Sequence, residues 1–421
     1  MTFKPRSKNF KKVMNNREDI MRRVVITGMA PVCSLGSDHE EVFRNLCEKK
    51  QNILKIEKNT PMKETLITNY FVPYPEFDDS RYAQKLAQVK KRGAKSAYTA
   101  VYAALKALED ASIEKPDDDT MVFIGVGAPT MYEISKQILK SEHLNKIDAM
   151  GVLMAMQSSI AAWISIVLGI HGKSAVLSMA CASGTESVGM GYENILNGKC
   201  DMALCGGSDY LTDDNLTLLK GFENLKAISD DKEGLSLPFS KERSGFLFSE
   251  GSAAVLVVEE LEHALKRGAE IYAEITGFES SSDGYSVVSM HEDGRIIKQM
   301  LRKLIGDKKI DYYNAHATGT RLNDEVEAGV IQELFGDKET QPAISATKAF
   351  IGHTLGASGA IEIAVCADSI RHRKVHGNIC KDVMDNLNYE SQTRDIDVDR
   401  AVSASFGFGG HNAAVMIERY K

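Results

Sequence analysis

No CxxC pair, no low-complexity segment and no short internal period occur in this 421-residue chain. The seven cysteines (Cys33, Cys47, Cys181, Cys200, Cys205, Cys366 and Cys380) are scattered and odd in number. That excludes a disulfide framework or a structural zinc site as the organising device. Cationic residues are not in excess: 51 Lys and Arg stand against 58 Asp and Glu, a formal net charge of −7. A chain with this balance is not built as a whole to neutralise nucleic acid, although a local basic patch for an acidic protein partner stays open. The first twenty residues lack an apolar core. No secretory signal is therefore expected, and a reducing cytoplasm is the simplest compartment. One uncharged run, from Ala149 to Ile170, has the length of a membrane span. Gln157, Ser158, Ser159 and Ser165 interrupt it and Gly151 and Gly169 bracket it, so it is read as a buried core helix, with no membrane association.

Hydrophobic residues make up 43% and charged residues 26% of the chain, near the averages of globular proteins. At about 150 residues per domain the length allows two or three domains and a substantial core. Residues 1–21 form a polar, basic extension (Lys4, Arg6, Lys8, Lys11, Lys12, Arg17) without apolar periodicity, expected to be a solvated tail. Beyond it, β-rich runs alternate with helical patterns. The strands are expected at Val24–Met29, Met121–Val126, Ala175–Met179, Met202–Cys205, Ala253–Glu259, Ile271–Phe278, Tyr312–Ala315, Ala343–Ala346, Ala401–Ser405 and Ala414–Glu418. Helical stretches include Ser96–Ala111, Gly184–Asn197 and Glu325–Phe335. This alternation predicts an α/β architecture with buried sheets. Leu261–Gly268 ends in cationic and glycine stop signals, which divides the body into halves at 22–268 and 269–421. A faint echo agrees with that division: Ile26-Thr27-Gly28-Met29 opens the first half and Ile275-Thr276-Gly277-Phe278 lies near the start of the second.

Cys181 is the first candidate for chemistry. A strand-like run leads into Ala180-Cys181-Ala182-Ser183-Gly184 and then into a helix pattern. A cysteine at a helix N-terminus meets unpaired N–H groups and the positive end of the macrodipole, which predicts a lowered thiol pKa and an activated thiolate. The other six cysteines are expected to be inert. His316 follows one strand and opens Ala317-Thr318-Gly319-Thr320, while His353 follows another and precedes Gly356-Ala357-Ser358-Gly359. Two histidines in small, polar surroundings after strands point to one shared site; the other eight are expected mostly in charged or helical surface contexts. Asp324 and Glu327 share one face of a helix start, read as dipole-favoured acids rather than metal ligands. Lys348 is either a surface lysine or a buried cation that needs a carboxylate such as Glu327. Gly407-Phe408-Gly409-Gly410 lacks the spacing of a phosphate loop and fits a turn that brings backbone N–H groups and one aromatic ring to a substrate. Gly125-Val126-Gly127 is too short for a dinucleotide fingerprint.

Taken together, these segments resemble the β-ketoacyl-acyl-carrier-protein synthases, in particular the elongating Cys-His-His class of the thiolase superfamily. The resemblance rests on Ala180–Gly184, on Asn314-Ala315-His316-Ala317-Thr318-Gly319-Thr320, on Lys348 shortly before Gly352-His353, and on Phe406-Gly407-Phe408-Gly409-Gly410-His411-Asn412. It extends from about Arg22 to Tyr420 and takes in Pro238–Phe246 and Ser281–Tyr285. It implies a five-layered αβαβα fold of two similar halves, usually dimeric, and an acyltransferase that needs no cofactor and no metal. Cys181 would accept an acyl chain from the acyl form of a carrier protein. The malonyl form would then lose CO2 and its carbanion would attack the acyl-Cys181 carbonyl, as in fatty-acid or polyketide elongation. His316 and His353 would donate hydrogen bonds to the enolate oxygen, and the N–H groups of Cys181 and Phe408 would form the second oxyanion hole. Lys348 and Glu327 align with the family's buried lysine–glutamate pair. Phe408 aligns with its gate, flanked by Gly407 and Gly409, and Thr318 and Thr320 with its phosphopantetheine contacts. Lys90, Lys91, Arg92 and Lys95 align with the segment that docks the carrier.

Several positions depart from the family. Ala317 stands where glycine is usual, Arg321 where proline is usual and Asn323 where glycine is frequent, and Ser286-Val287-Val288-Ser289 replaces the usual His-Met-Thr. These departures bear on the substrate more than on the chemistry. They keep open a catalytic subunit of a specialised type II polyketide synthase, working as a heterodimer with a chain-length factor rather than as a homodimer. A coenzyme-A-dependent priming enzyme is disfavoured by His353, and a non-condensing partner subunit by Cys181. A Cys-His hydrolase would leave the malonyl and carrier machinery without purpose.

Overall fold

The strand Val24–Val32 is buried at every residue and pairs on both sides, as only the middle strand of a covered sheet can. The computed structural model describes residues 22–57, 60, 62–141 and 147–421, so the basic extension lies outside the described residues. In chain order the sheet strands are β1 (Val24–Val32), β2 (Met121–Gly125), β3 (Ser174–Leu177), β4 (Met202–Tyr210) and β5 (Gly251–Glu260). They continue as β6 (Ala273–Ser282), β7 (Tyr312–Asn314), β8 (Ala343–Ser345), β9 (Arg400–Gly407) and β10 (His411–Glu418). Every expected strand is present, with ends moved by a few residues.

The ten strands line up as β8-β7-β9-β10-β6-β1-β5-β4-β2-β3. Outward from the centre, each set of five runs first, fifth, fourth, second, third, and the two sets share one pattern of antiparallel and parallel pairing. β1 and β6 join the sets through only three antiparallel partners, Val24↔Ile275 to Ile26↔Ala273. The Ile-Thr-Gly echo therefore marks the first strand of each half.

Helices α1 (Lys95–Asp110) and α2 (Ser159–Leu168) cover the outer face of the first five strands. Helices α3 (Ser183–Leu196) and α6 (Ser358–His372) lie between the two five-strand sets, and α4 (Arg295–Ile305) and α5 (Arg321–Phe335) cover the far side. The result is the five-layered αβαβα arrangement. In α4 the buried residues Ile297, Met300, Leu301, Leu304 and Ile305 form one stripe; burying each such side chain contributes roughly 1.5–3 kcal/mol. By contrast α6 is buried all round from Ser358 to Ile370, as a central helix must be. α3 and α6 approach closely because glycines stand where they meet: a Cβ on Gly184 would come within 2.6 Å of the Gly356 carbonyl oxygen.

The run 149–170 is not one buried core helix. Met156 adopts an extended backbone that separates Gly151–Ala155 from α2, and Gly169 ends α2 in the left-handed region. Only Ile160, Ala161 and Ile164 of α2 are fully buried, while Val152 is 70% and Ile166 67% exposed. Ile134, Ile138, Leu139, Ile147, Leu153 and Met156 are exposed on neighbouring segments. These side chains are apolar surface left uncovered, and α2, which carries Ile166, packs beside the edge strand β3. Among the described residues no helix is long and apolar enough to cross a membrane.

Candidate active site

Each half turns from its third strand into a central helix through the same elbow. In the first half Ala180 takes φ +48° and the chain passes through a 3₁₀ turn, Ala180–Ala182, into α3. In the second, Leu355 takes φ +47° and Leu355–Ala357 leads into α6. The sequences match at Ala182-Ser183-Gly184 and Ala357-Ser358-Gly359, which sets Cys181 opposite Gly356. A non-glycine residue in the left-handed region is strained and persists where its surroundings hold it. Here serines do so. The Ser183 hydroxyl accepts from the Met179 N–H at 2.7 Å and lies 2.7 Å from the Ala180 carbonyl. The Ser358 hydroxyl accepts from the Thr354 N–H at 3.2 Å and lies 3.1 Å from His353 Nδ1.

Cys181, His316 and His353 come together as expected, with one donor atom of each within 4.8 Å of the others, and all three are buried. His353 Nε2 lies 3.0 Å from the Cys181 sulfur. His316 lies with its ring centroid 5.7 Å from that of His353, and its Nδ1 is buried with no partner. The His316 loop is held by the two acids read in the sequence as helix-start residues. Glu327 accepts from the N–H groups of His316 and Ala317 at 2.8 and 2.7 Å, and Asp324 from those of Gly319 and Phe239 at 3.1 and 2.8 Å. Burial pushes Glu327 up to about 7 and Asp324 up to about 6.

Lys348 is buried, but its ion pair is with Glu362, Nζ to Oε1 at 2.5 Å, not with Glu327. The expected pairing is thereby corrected. Glu362 lies about one turn into α6 and is fully buried, whereas both Glu327 oxygens already accept backbone N–H groups. The resting thiolate is corrected as well. Burial pushes the Cys181 thiol up to about 11, against hydrogen bonding from the Phe408 N–H and the charge of Lys348. Burial and Lys348 also hold His353 well below its ordinary value, and His316 likewise with His353 as a further cause. The desolvation of a closed site outweighs the helix terminus. These directions favour a neutral thiol facing neutral imidazoles, with His353 placed within reach of the thiol proton. A sulfur and two imidazoles are also metal-type donors. Lys348, whose charge is felt by both rings, opposes a cation there.

Phe408 belongs to the turn between β9 and β10, where Gly409 and Gly410 have φ +84° and +75°. A Cβ on Gly407 would sit 2.9 Å from the Met179 carbonyl and 3.2 Å from the Cys181 nitrogen, so only glycine lets this turn approach the thiol. The Phe408 ring stacks on Phe222 at 6.3 Å, and the Gly409 N–H donates to the Val287 carbonyl at 2.8 Å. A cavity of about 690 Å3 ends at Cys181, His316, His353 and Phe408 and is lined along its length by Thr318, Thr320 and Arg321, within the usual range for a ligand site.

Of the expected docking residues, none lines this cavity. Lys90 pairs with Asp79 at 2.8 Å. Lys95 donates to the Tyr210 hydroxyl at 2.8 Å and lies over the rings of Tyr132 and Tyr210. Lys91 and Arg92 are exposed cations. His39 and His376 are buried rather than at the surface. Sequence reasoning missed Glu362, both elbow serines and Asp209, whose carboxylate accepts from Gly127, Ala128 and Gly356 at 2.8, 3.0 and 2.7 Å and so ties the loop after β2 to the second elbow. The repeated Ala-Ser-Gly was the available signal for the serines.

Two like α/β halves focus a buried thiol and two imidazoles at the foot of a cavity, the donor set of a cysteine-nucleophile enzyme. The profile of the beta-ketoacyl synthase N-terminal domain matches residues 21–264, and that of the C-terminal domain matches residues 272–380. Over 418 residues the chain is 31% identical to 3-oxoacyl-acyl-carrier-protein synthase 1 of Buchnera aphidicola subsp. Acyrthosiphon pisum (strain APS), covering 95% of this chain and 100% of that protein. Among solved structures it is similar to the ishigamide ketosynthase/chain length factor (TM-score 0.85, 27% identity, 95% of this chain and 100% of that one). It is equally similar in fold to AntDE:AntF, a type II polyketide synthase acyl-carrier protein in complex with its ketosynthase (TM-score 0.85, 25% identity, 95% of this chain and 100% of that one). The chain belongs to the beta-ketoacyl synthase family.

Proposed function

We propose that the protein is a β-ketoacyl-acyl-carrier-protein synthase, joining a Cys181-bound acyl chain to a malonyl unit. The 3.0 Å approach of His353 Nε2 to the Cys181 sulfur carries this reading. Cys181 attacks the acyl-carrier thioester; His353 takes the thiol proton, the acyl–sulfur bond to the carrier breaks, and the carrier's sulfur leaves with a proton. The malonyl carrier then loses CO2, and the charge that develops on its thioester oxygen is met by His316 and His353. One well-placed donor of this kind is worth about 10²–10³ in rate. The resulting enolate carbon bonds to the acyl carbonyl, whose oxyanion faces the N–H groups of Cys181 and Phe408, and Cys181 is released. Neutral imidazoles beside the Lys348 charge suit this step, because they stabilise an anion without first binding a proton. Thr318 and Thr320 line the route of the phosphopantetheine arm, and Lys91 and Arg92 are the cations free to meet an acidic carrier. An essential reduced thiol fits the cytoplasm.

The uncovered apolar face beside β3 is where a second subunit adds, either another copy of this chain or a chain-length factor. The second case keeps the polyketide reading open, in line with the likeness to ketosynthase/chain-length-factor assemblies. Purified protein supplied with acyl and malonyl carrier protein tests the proposal. One CO2 per β-ketoacyl product is expected, and acyl hydrolysis without a carbon–carbon bond would overturn it.

A further inference from the structure

We propose that Arg321 reads the phosphate of the phosphopantetheine arm that delivers the substrate, an inference that rests on the synthase reading above. Exposure along one cavity-lining loop gives the depth scale. His316 and Thr318 are 2% and 5% exposed, Thr320 is half-buried, and Arg321 is exposed. The loop therefore runs from the reacting end to the mouth. A thioester placed at Cys181 directs the opposite, anionic end of its arm toward the mouth, where Arg321 stands.

The charges on that rim single out the residue. The cavity is lined by Glu223, Lys226, Asp230 and Arg321 besides the two histidines. Glu223 is committed: its carboxylate accepts from the N–H groups of Ile67 and Thr68 at 2.7 and 3.0 Å and pairs with Lys220 at 2.7 Å. Asp230 and Lys226 are exposed residues of opposite charge, and Lys226 lacks the planar fork that grips two phosphate oxygens at once. Arg321 has no side-chain partner among the described residues, while its backbone is fixed, because buried Arg243 donates to its carbonyl oxygen at 2.8 Å. An anchored backbone carrying a free guanidinium suits a phosphodiester, which the planar fork can grip with two hydrogen bonds.

Helix geometry explains why an arginine is tolerated and supplies a test variant. Arg321 is the first residue of α5, after Thr320 with φ −80° and ψ 144°. At this position the N–H has no helical partner and proline is favoured, and an extended preceding residue is the one proline requires. Arg321→Pro should therefore fold, keep the carbonyl that Arg243 holds, and remove only the cation.

The experiment compares acylation of Cys181 by two donors that differ in one group, an acyl-phosphopantetheine and the same acyl-pantetheine. The wild-type protein should prefer the phosphorylated donor by about tenfold to a hundredfold. This preference should reside in KM and shrink with added salt. In Arg321→Pro, at an unchanged melting temperature, the ratio should fall to near one, and Arg321→Lys should recover part of it. Equal use of both donors by the wild type, or a preference that survives Arg321→Pro, would overturn the proposal. Failure of the synthase reading looks different, because then neither donor acylates Cys181. Adding the carrier-bound donor separates the sources: a gain that persists in Arg321→Pro belongs to the carrier's protein surface and not to its phosphate.

Discussion

Lys348 and Glu362 face each other at 2.5 Å with side chains 1% and 0% exposed, and Glu362 joins the central helix α6 to the loop that carries His353. Removing one partner of such a pair leaves a buried charge uncompensated, at a cost of roughly 3–5 kcal/mol. Glu362→Gln should therefore lower stability by about that amount near neutral pH, as measured by denaturant unfolding. Lys348→Met should cost less as pH falls, because burial already pushes Glu362 up to about 7 and the carboxyl can take a proton. Combining the two should recover stability but not activity. If Glu327→Gln rather than Glu362→Gln showed the charge-pair penalty, the assignment of the pair would be wrong.

A neutral resting thiol has a kinetic signature. With Cys181 pushed up to about 11, its alkylation by iodoacetamide should accelerate by about tenfold per pH unit from pH 6 to 9, because only the thiolate reacts. A rate that levels off near pH 7 would restore the thiolate expected from the helix terminus.

The two histidines differ in what they touch. His353 reaches the sulfur, whereas His316 makes no hydrogen bond to it. His353→Ala should slow both Cys181 acylation and CO2 release from malonyl carrier, by about 10²–10³ in the latter. His316→Ala should spare acylation and slow decarboxylation. Mass measurement of the acyl-enzyme and trapping of CO2 separate the two steps, and unchanged CO2 release in either variant would remove that residue from the role.

Far from the cavity, His39 sits between Asp368 at 2.8 Å and Asp110 at 3.4 Å, beside the Tyr272 hydroxyl. Burial opposes its charge, but the two aspartates win and raise it to about 10. Because the folded value is raised, the stabilisation is complete below the ordinary pKa near 6.5 and is lost as pH rises through about 10. Wild-type stability should accordingly decline between about pH 6.5 and 10. His39→Gln should be less stable at pH 7 and show a flatter profile over that window. Parallel profiles would remove the ion network as the cause.

Strands were the most legible part of the fold, since sheets covered on both faces require continuous apolar, β-branched runs such as Val24–Ile26 and Ala253–Val258. The central helix α6 announced itself poorly, because a helix buried all round has no polar face to give it a period. Absence of charge in 149–170 said nothing about what covers it, and the structure splits that run and exposes part of it. Cys181, His316 and His353 could be singled out because each follows a strand in small surroundings. Their protonation could not, since desolvation depends on how chain segments distant in sequence close over them. The partner of Lys348 was equally hidden: spacing alone does not choose between Glu327 and Glu362. Lys95 read as a free cation because the rings that hold it, Tyr132 and Tyr210, come from other elements.

Most directly at stake is whether Cys181 carries the growing chain. The protein is incubated with acyl carrier protein, its intact mass and tryptic peptides are recorded, and malonyl carrier protein is then added. One acyl group should appear on the Cys181 peptide, be absent from Cys181→Ala, and be discharged into a β-ketoacyl thioester on addition of the malonyl form. A chain that attaches elsewhere, or that leaves Cys181 as free acid, would contradict the account.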